Sequence, residues 1–296
     1  MYPLEFLTSL DRRLEAAGYL PAPELTVVLR LALSLQKPIL VEGPAGAGKT
    51  EIARAVSEAL NAPLYRLQCY EGLDEAKALY EWNYHKQLLR LQTDATRQGA
   101  SWQAVQHEIF SEEYLLDRPL LKALRSRERA VLLIDEVDKA DEEFEAFLLE
   151  FLGEFQVSIP ELGTVQARYV PIVVLTSNRT RELSDALRRR CLYYYLDFPS
   201  REREEAILRL KLPALDALLA AQIVRFVQAV RRLPLRKPPS VAETIAWAEA
   251  LLSLGVRELR DPQAKAALAA LLKYDEDLAA VHSRWATLAA AERRPG

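Results

Sequence analysis

The stretch Gly43-Pro44-Ala45-Gly46-Ala47-Gly48-Lys49-Thr50 spells GxxxxGK[ST] in full, between the apolar run Ile39-Leu40-Val41 and a segment, Lys49–Leu60, whose Ile52, Ala53, Val56 and Leu60 share one helical face. A strand must therefore enter a tight turn and leave it at a helix N-terminus. Glycines let such a turn curl with its backbone N–H groups unobstructed, at the positive end of the helix dipole, an arrangement that holds dense negative charge. Lys49 supplies a point charge for the outer phosphates of a nucleoside triphosphate and Thr50 a hydroxyl for magnesium, and the binding stretch runs from Gly43 to Glu51. A chance match in a glycine-rich turn would not come with a strand before it and an amphipathic helix after it.

The rest of the chain must house that loop. Its 296 residues suit a larger and a smaller domain. Hydrophobic residues make up 50% and charged residues 27%, as in an ordinary globular protein. No apolar run approaches the ~20 residues of a membrane span, and the N-terminus lacks the pattern of a secretory signal. A cytoplasmic protein is expected. Cys69 and Cys191 lie far apart and are read as reduced and structural; His85, His107 and His282 give no zinc spacing. The net charge of −3 is mixed along the chain, which argues against nucleic acid as the main partner. Nothing repeats at a fixed period of about 20–50 residues.

Helical spacing over Glu24–Gln36 is ended by Lys37-Pro38, and short strands are expected at 39–41, 64–68, 130–134, 171–175 and 192–196. Apolar strands alternating with helices predict an α/β core, a parallel sheet of five strands covered on both faces. Residues about 70–129, with Trp82, Tyr84 and Trp102, read as a mainly helical insertion with packed aromatics. A hairpin is expected at about 155–168, turning at Pro160–Gly163. Beyond Ser200 no strand pattern recurs, and Ser240-Val241-Ala242-Glu243 spells a capping box. The expected division is a core at 1–199 and an all-helical lid at 200–296.

The run Ala130–Ile134 delivers Asp135 and Glu136 at a strand's C-terminal edge, where parallel sheets place ligands. Asp135 is expected to hold magnesium and Glu136 to orient and polarise an attacking water. Asn178, closing the next apolar run, can hydrogen-bond a γ-phosphate and a water. Arg188-Arg189-Arg190 end a short helix; they are either solvated cations at a helix C-terminus or the source of an arginine finger.

Taken in order, GPAGAGKT, VLLIDEVDKA, VVLTSN and DALRRRC resemble the nucleotide motifs of the AAA+ superfamily over nearly the whole chain. The opening helix running into KPILVEGPAGAGKT, the hairpin before VVLTSN and the insertion after the second strand are similar to the MoxR branch, in wording most like its CoxD-like group, associated with maturation of a molybdenum-containing carbon monoxide dehydrogenase. The resemblance implies an AAA+ P-loop core with a small helical lid, hydrolysis of ATP with Mg2+, and a hexameric ring. It makes Asn178 the sensor-1 residue and Arg190, with Arg189 second, the finger reaching a neighbour's site. It also implies a partner with a von Willebrand factor A domain and a metalloenzyme client. Many relatives carry a sensor-2 arginine where this chain has Ala242, so that role is unassigned; Arg236 and Lys237 are read as solvated, as is the basic stretch Arg231–Lys237 as a whole. The competing functions are a DNA-linked motor of clamp-loader or helicase type and a small-molecule kinase.

Overall fold

The computed structural model describes residues 4–94, 109–160 and 162–289. Its strands are β1 (Ile39–Glu42), β2 (Leu64–Gln68), β3 (Tyr80–Trp82), β4 (Leu115–Asp117), β5 (Val131–Asp135), β6 (Gln156–Ile159), β7 (Gly163–Gln166), β8 (Ile172–Ser177) and β9 (Leu192–Tyr195). The described residues divide into two compact units: those within 1–14, 21–42 and 50–195 form the first, and those within 15–20, 43–49 and 196–296 the second.

The first unit is built on a five-stranded parallel sheet in the order β2-β5-β8-β1-β9. Every residue of β1, β5 and β8 is buried, which is why those strands read as unbroken apolar runs. The edge strand β9 instead alternates half-buried and exposed residues. The order sets the C-terminal ends of β1, β5 and β8 side by side: Glu42 pairs with Ser177, and Ile134 with Leu175. Chemistry placed after those ends converges at one edge of the sheet.

One face is closed by Glu142–Glu154, a helix capped by Asp141, whose side chain accepts from Phe144 N–H. Its Phe144, Leu148, Phe151 and Leu152 pack with Leu132, Ile134, Val173 and Leu175 of the sheet. Each such side chain, fully buried, contributes about 1.5–3 kcal/mol. The helix ends with Phe155 at φ 49° and hands over to the antiparallel hairpin β6–β7.

Among its described residues, the segment between β2 and β5 is less helical than its periodicity predicts. Glu75–Leu79, Tyr84–Asp94 and Pro119–Leu124 are helices, but β3 and β4 pair antiparallel between them. Short strands of three residues carry too little alternation to be seen beside helical neighbours. Trp82 is buried and meets Phe110 edge-on at 5.2 Å, whereas Tyr84, expected in a packed interior, is 65% exposed. Trp102 and the expected helix around it lie outside the described residues.

The second unit has only helices beyond residue 196 among its described residues. Ala217–Arg231, Val241–Ser253 and Asp275–Ala289 share a core in which Phe226 lies 5.1 Å from Trp247 and 4.9 Å from Trp285. Ser240 and Glu243 complete the capping box in both directions. The basic stretch is not simply solvated. Arg231 is half-buried, its side chain 9% exposed and paired with the fully buried Glu204 at 2.7 Å, and Arg236 lies over the Tyr274 ring at 4.3 Å. Lys237 Nζ stands 3.5 Å from Glu243, near the reach of a weak pair.

Candidate functional site

The glycine-rich loop belongs to the second unit up to Lys49, and the helix Lys49–Leu60 continues into the first. Gly46 shows why the loop needs glycine: its φ is +81°, and a Cβ there would lie 2.3 Å from Ser240 Cβ. Gly43 is equally constrained, since a Cβ would fall 1.9 Å from the Leu196 carbonyl oxygen. Pro44, Ala45, Ala47 and Gly48 complete the loop, with Ala45 exposed and Ala47 buried. Val241 N–H donates to Gly46 O at 3.3 Å. Lys49 is buried, and its Nζ donates to Gly43 O at 2.8 Å and Pro44 O at 2.9 Å, so its charge stays inside the curl of the loop. Glu51, in the first helical turn, stands 3.8 Å from Arg54.

Thr50, Asp135, Glu136 and Asn178 are brought together in the first unit. Thr50 Oγ1 lies 3.1 Å from Asp135 Oδ1, and Thr176, at the end of β8, donates to the same oxygen at 2.5 Å. Asp135 Oδ2 accepts from Arg66 Nη2 at 2.6 Å. Glu136 follows β5 with φ 56° and ψ 49°, a left-handed conformation that turns the side chain out of the strand path. Its Oε1 accepts from Asn178 Nδ2 at 3.2 Å, and its Oε2 from Gln68 Nε2 at 2.8 Å and Lys139 Nζ at 2.6 Å. A carboxylate so held is oriented and 29% exposed, able to meet a water.

Asp138 shapes the loop after β8. Buried at 3% exposure, it accepts from Asn178 N–H at 3.2 Å, Thr180 N–H at 2.9 Å and Thr180 Oγ1 at 2.7 Å. Burial pushes its carboxyl up, but those hydrogen bonds outweigh burial and hold it below the usual carboxylate value. Burial, with the nearby Asp135 second, pushes the Cys69 thiol up to about 12, in keeping with a structural role. Cys191 is likewise raised to about 12 by burial, against the lowering influence of Arg190.

Arg66, Gln68, Thr176 and Asp138 were not singled out by motif. A signal existed: Arg66 and Gln68 are two apart on β2, hence on one face, and the register sets Gln68 opposite Asp135. Arg189 and Arg190 end the helix Asp185–Arg190, both exposed, with Arg190 beside Gly153. The side chain of Arg188 instead turns to Glu42, Nη2 to Oε1 at 2.8 Å.

A family described as AAA domain (dynein-related subfamily) matches residues 38–191, from the approach to β1 to the residue before β9. The chain belongs to this AAA family. It is similar to the denitrification regulatory protein NirQ of Stutzerimonas stutzeri, 28% identical over 215 residues that cover 70% of this chain and 68% of NirQ. An uncharacterized protein of Staphylococcus saprophyticus is 24% identical over 233 residues, covering 75% of this chain and 78% of that one. Among solved structures, a mutant of Thermotoga maritima RuvB aligns over 92% of this chain and 72% of its own, with TM-score 0.49 and 16% identity. By its family the chain is an AAA-domain ATPase. None of its described helices is long and apolar enough to cross a membrane.

Proposed function

We propose that this AAA+ protein hydrolyses ATP to ADP and phosphate with Mg2+, in a hexameric ring, to remodel or activate a client. The observation that carries the hydrolytic reading is the meeting of Thr50 with Asp135 beside a Glu136 whose two oxygens are held from β2 and from the residue after β8. Thr50 Oγ1 and the Asp135 carboxylate are hard oxygen donors and fit magnesium, which they would hold. When bound, the ion supplies positive charge against the phosphates. Residues Gly43 to Glu51 would bind the nucleotide, the loop by its N–H groups and Lys49 by its charge. Glu136 would orient the attacking water and accept its proton, with Asn178 steering that carboxylate and reaching toward the γ-phosphate.

The exposed Arg190, with Arg189 second, is the finger in this reading, reaching the site of a neighbouring subunit and stabilising charge on the transferred phosphoryl group. Residues 1–199 act as the ATPase core and 200–296 as its lid. The protein works in the cytoplasm as a chaperone in metalloenzyme maturation, in the CoxD-like manner for a molybdenum hydroxylase, with a von Willebrand factor A partner. The sequence motifs support that assignment, and so does similarity to a protein named as a denitrification regulator.

Phosphate release by Glu136→Gln tests the hydrolytic core. Turnover should fall by about 10²-fold or more while a fluorescent ATP analogue still binds; turnover at the wild-type rate would remove Glu136 from the chemistry.

A further inference from the structure

Glu42 is the last residue of β1, directly before Gly43, and its side chain is 1% exposed. A lone carboxylate sealed in this way would cost several kcal/mol, so its partners are informative. Oε2 accepts from Arg179 Nε at 2.7 Å and from Tyr193 Oη at 3.1 Å, and Oε1 accepts from Arg188 Nη2 at 2.8 Å. Arg179 also donates to Tyr193 Oη at 2.5 Å, and its guanidinium lies 4.7 Å over the Tyr195 ring. All of these residues belong to the first unit.

The two arginines come from the segments that carry the remaining machinery. Arg179 follows Asn178 and sits at φ 59°, so the loop makes a left-handed turn there, and its side chain ends on Glu42. Arg188 is in the last turn of the helix that ends in Arg189 and Arg190. One buried carboxylate therefore ties together the strand entering the phosphate loop, the backbone next to Asn178 and the helix bearing the exposed arginines.

We infer that Glu42 is a positioning residue that couples the start of the phosphate loop to Asn178 and to the arginine helix, and that Arg188 serves this coupling within its own subunit rather than acting on a neighbour's nucleotide. The inference rests on the ATPase reading above. A charge-assisted pair with this geometry is strong and directional, so a shift at one segment is felt at the other two. Arg188 already holds a buried anion, and withdrawing it would leave Glu42 with one guanidinium fewer.

The experiment uses full-length Glu42→Gln, Arg188→Ala, Arg188→Lys and their Glu42→Gln/Arg188→Ala combination, with Arg190→Ala as the comparison. Glu42→Gln keeps the side chain's shape if a smaller residue fails to fold. Each of Glu42→Gln and Arg188→Ala should lower kcat about tenfold, and the combination no further, because the two act as one unit. KM for ATP should stay within about twofold. Arg188→Lys should recover part of kcat. Mixed with Glu136→Gln subunits, Arg190→Ala should regain turnover across the shared interface, while Glu42→Gln and Arg188→Ala should not. Multiplying effects in the combination, turnover of Glu42→Gln at the wild-type level, or rescue of Arg188→Ala by mixing would each overturn the inference. An inactive wild-type protein would overturn the ATPase reading itself and with it this coupling; failed rescue of Arg190→Ala alone would remove only the trans finger, leaving the coupling to be decided by the combination.

Discussion

Asp135 in the first unit and Glu204 in the second are both sealed from solvent, at 3% and 0% exposure, and both are paired with an arginine. The arginines differ. The side chain of Arg66 is 53% exposed, that of Arg231 only 9%. Arg231 also lies against the Phe198 ring and donates to Pro239 O at 2.8 Å, while Glu204 takes further hydrogen bonds from Gln228 and Thr244. Around Glu204 the partners come from Ala217–Arg231 and Val241–Ser253, which makes a staple between helices. Around Asp135 the counter-cation is half open to water, so under the proposed function it would give way to another positive charge. The same pairing chemistry is closed to solvent around Glu204 and open to it around Asp135.

The largest effect that probes this contrast is at the loop itself. Lys49→Ala should abolish binding of a fluorescent ATP analogue, because Lys49 is the one basic residue of the stretch 43–51; retained tight binding would contradict the assignment of residues 43–51. Next comes the closed pair. Arg231→Ala leaves Glu204 buried and uncompensated, and should cost about 3–5 kcal/mol in chemical denaturation. Arg66→Ala should cost under about 1 kcal/mol in the same assay, since half of its side chain already faces water. It should also lower the Mg2+ concentration needed for half-maximal nucleotide binding, followed by analogue fluorescence. Equal destabilisation by the two substitutions would show that solvent access is not what separates them.

The smallest effect concerns pH. The Asp138 carboxyl is held below its ordinary value, so its contribution to stability is complete above the unfolded-chain pKa and is lost as pH falls through the lowered folded value. The stability gap between wild type and Asp138→Asn, read by urea denaturation, should therefore be widest near neutrality and close in acid, as the pH falls through the lowered folded value. A gap that widens in acid would mean that Asp138 is not held as an anion.

Much of this was legible in the chain. The phosphate loop, the paired acids after β5, Asn178 after β8 and the hairpin β6–β7 all follow from spacing and from short apolar runs between turn residues. The capping box at Ser240 is likewise a matter of residues three apart. Less legible were the three-residue strands β3 and β4, which pair across 32 residues and have no local pattern of their own. The basic stretch misled in a similar way, because whether Arg231 faces water depends on Glu204, which is 27 positions away.

Sequence alone determined the local features: a glycine-rich turn before a helix, two acids closing a strand and a row of arginines closing a short helix. Those are encoded by neighbours, where one residue's type constrains the next few through backbone geometry and hydrogen bonding. Tertiary structure decided the pairings. Which arginine is bound to Glu42, which to Asp135 and which to Glu204 depends on strand order and burial, and a charge finds its partner only after distant segments are brought out of water together.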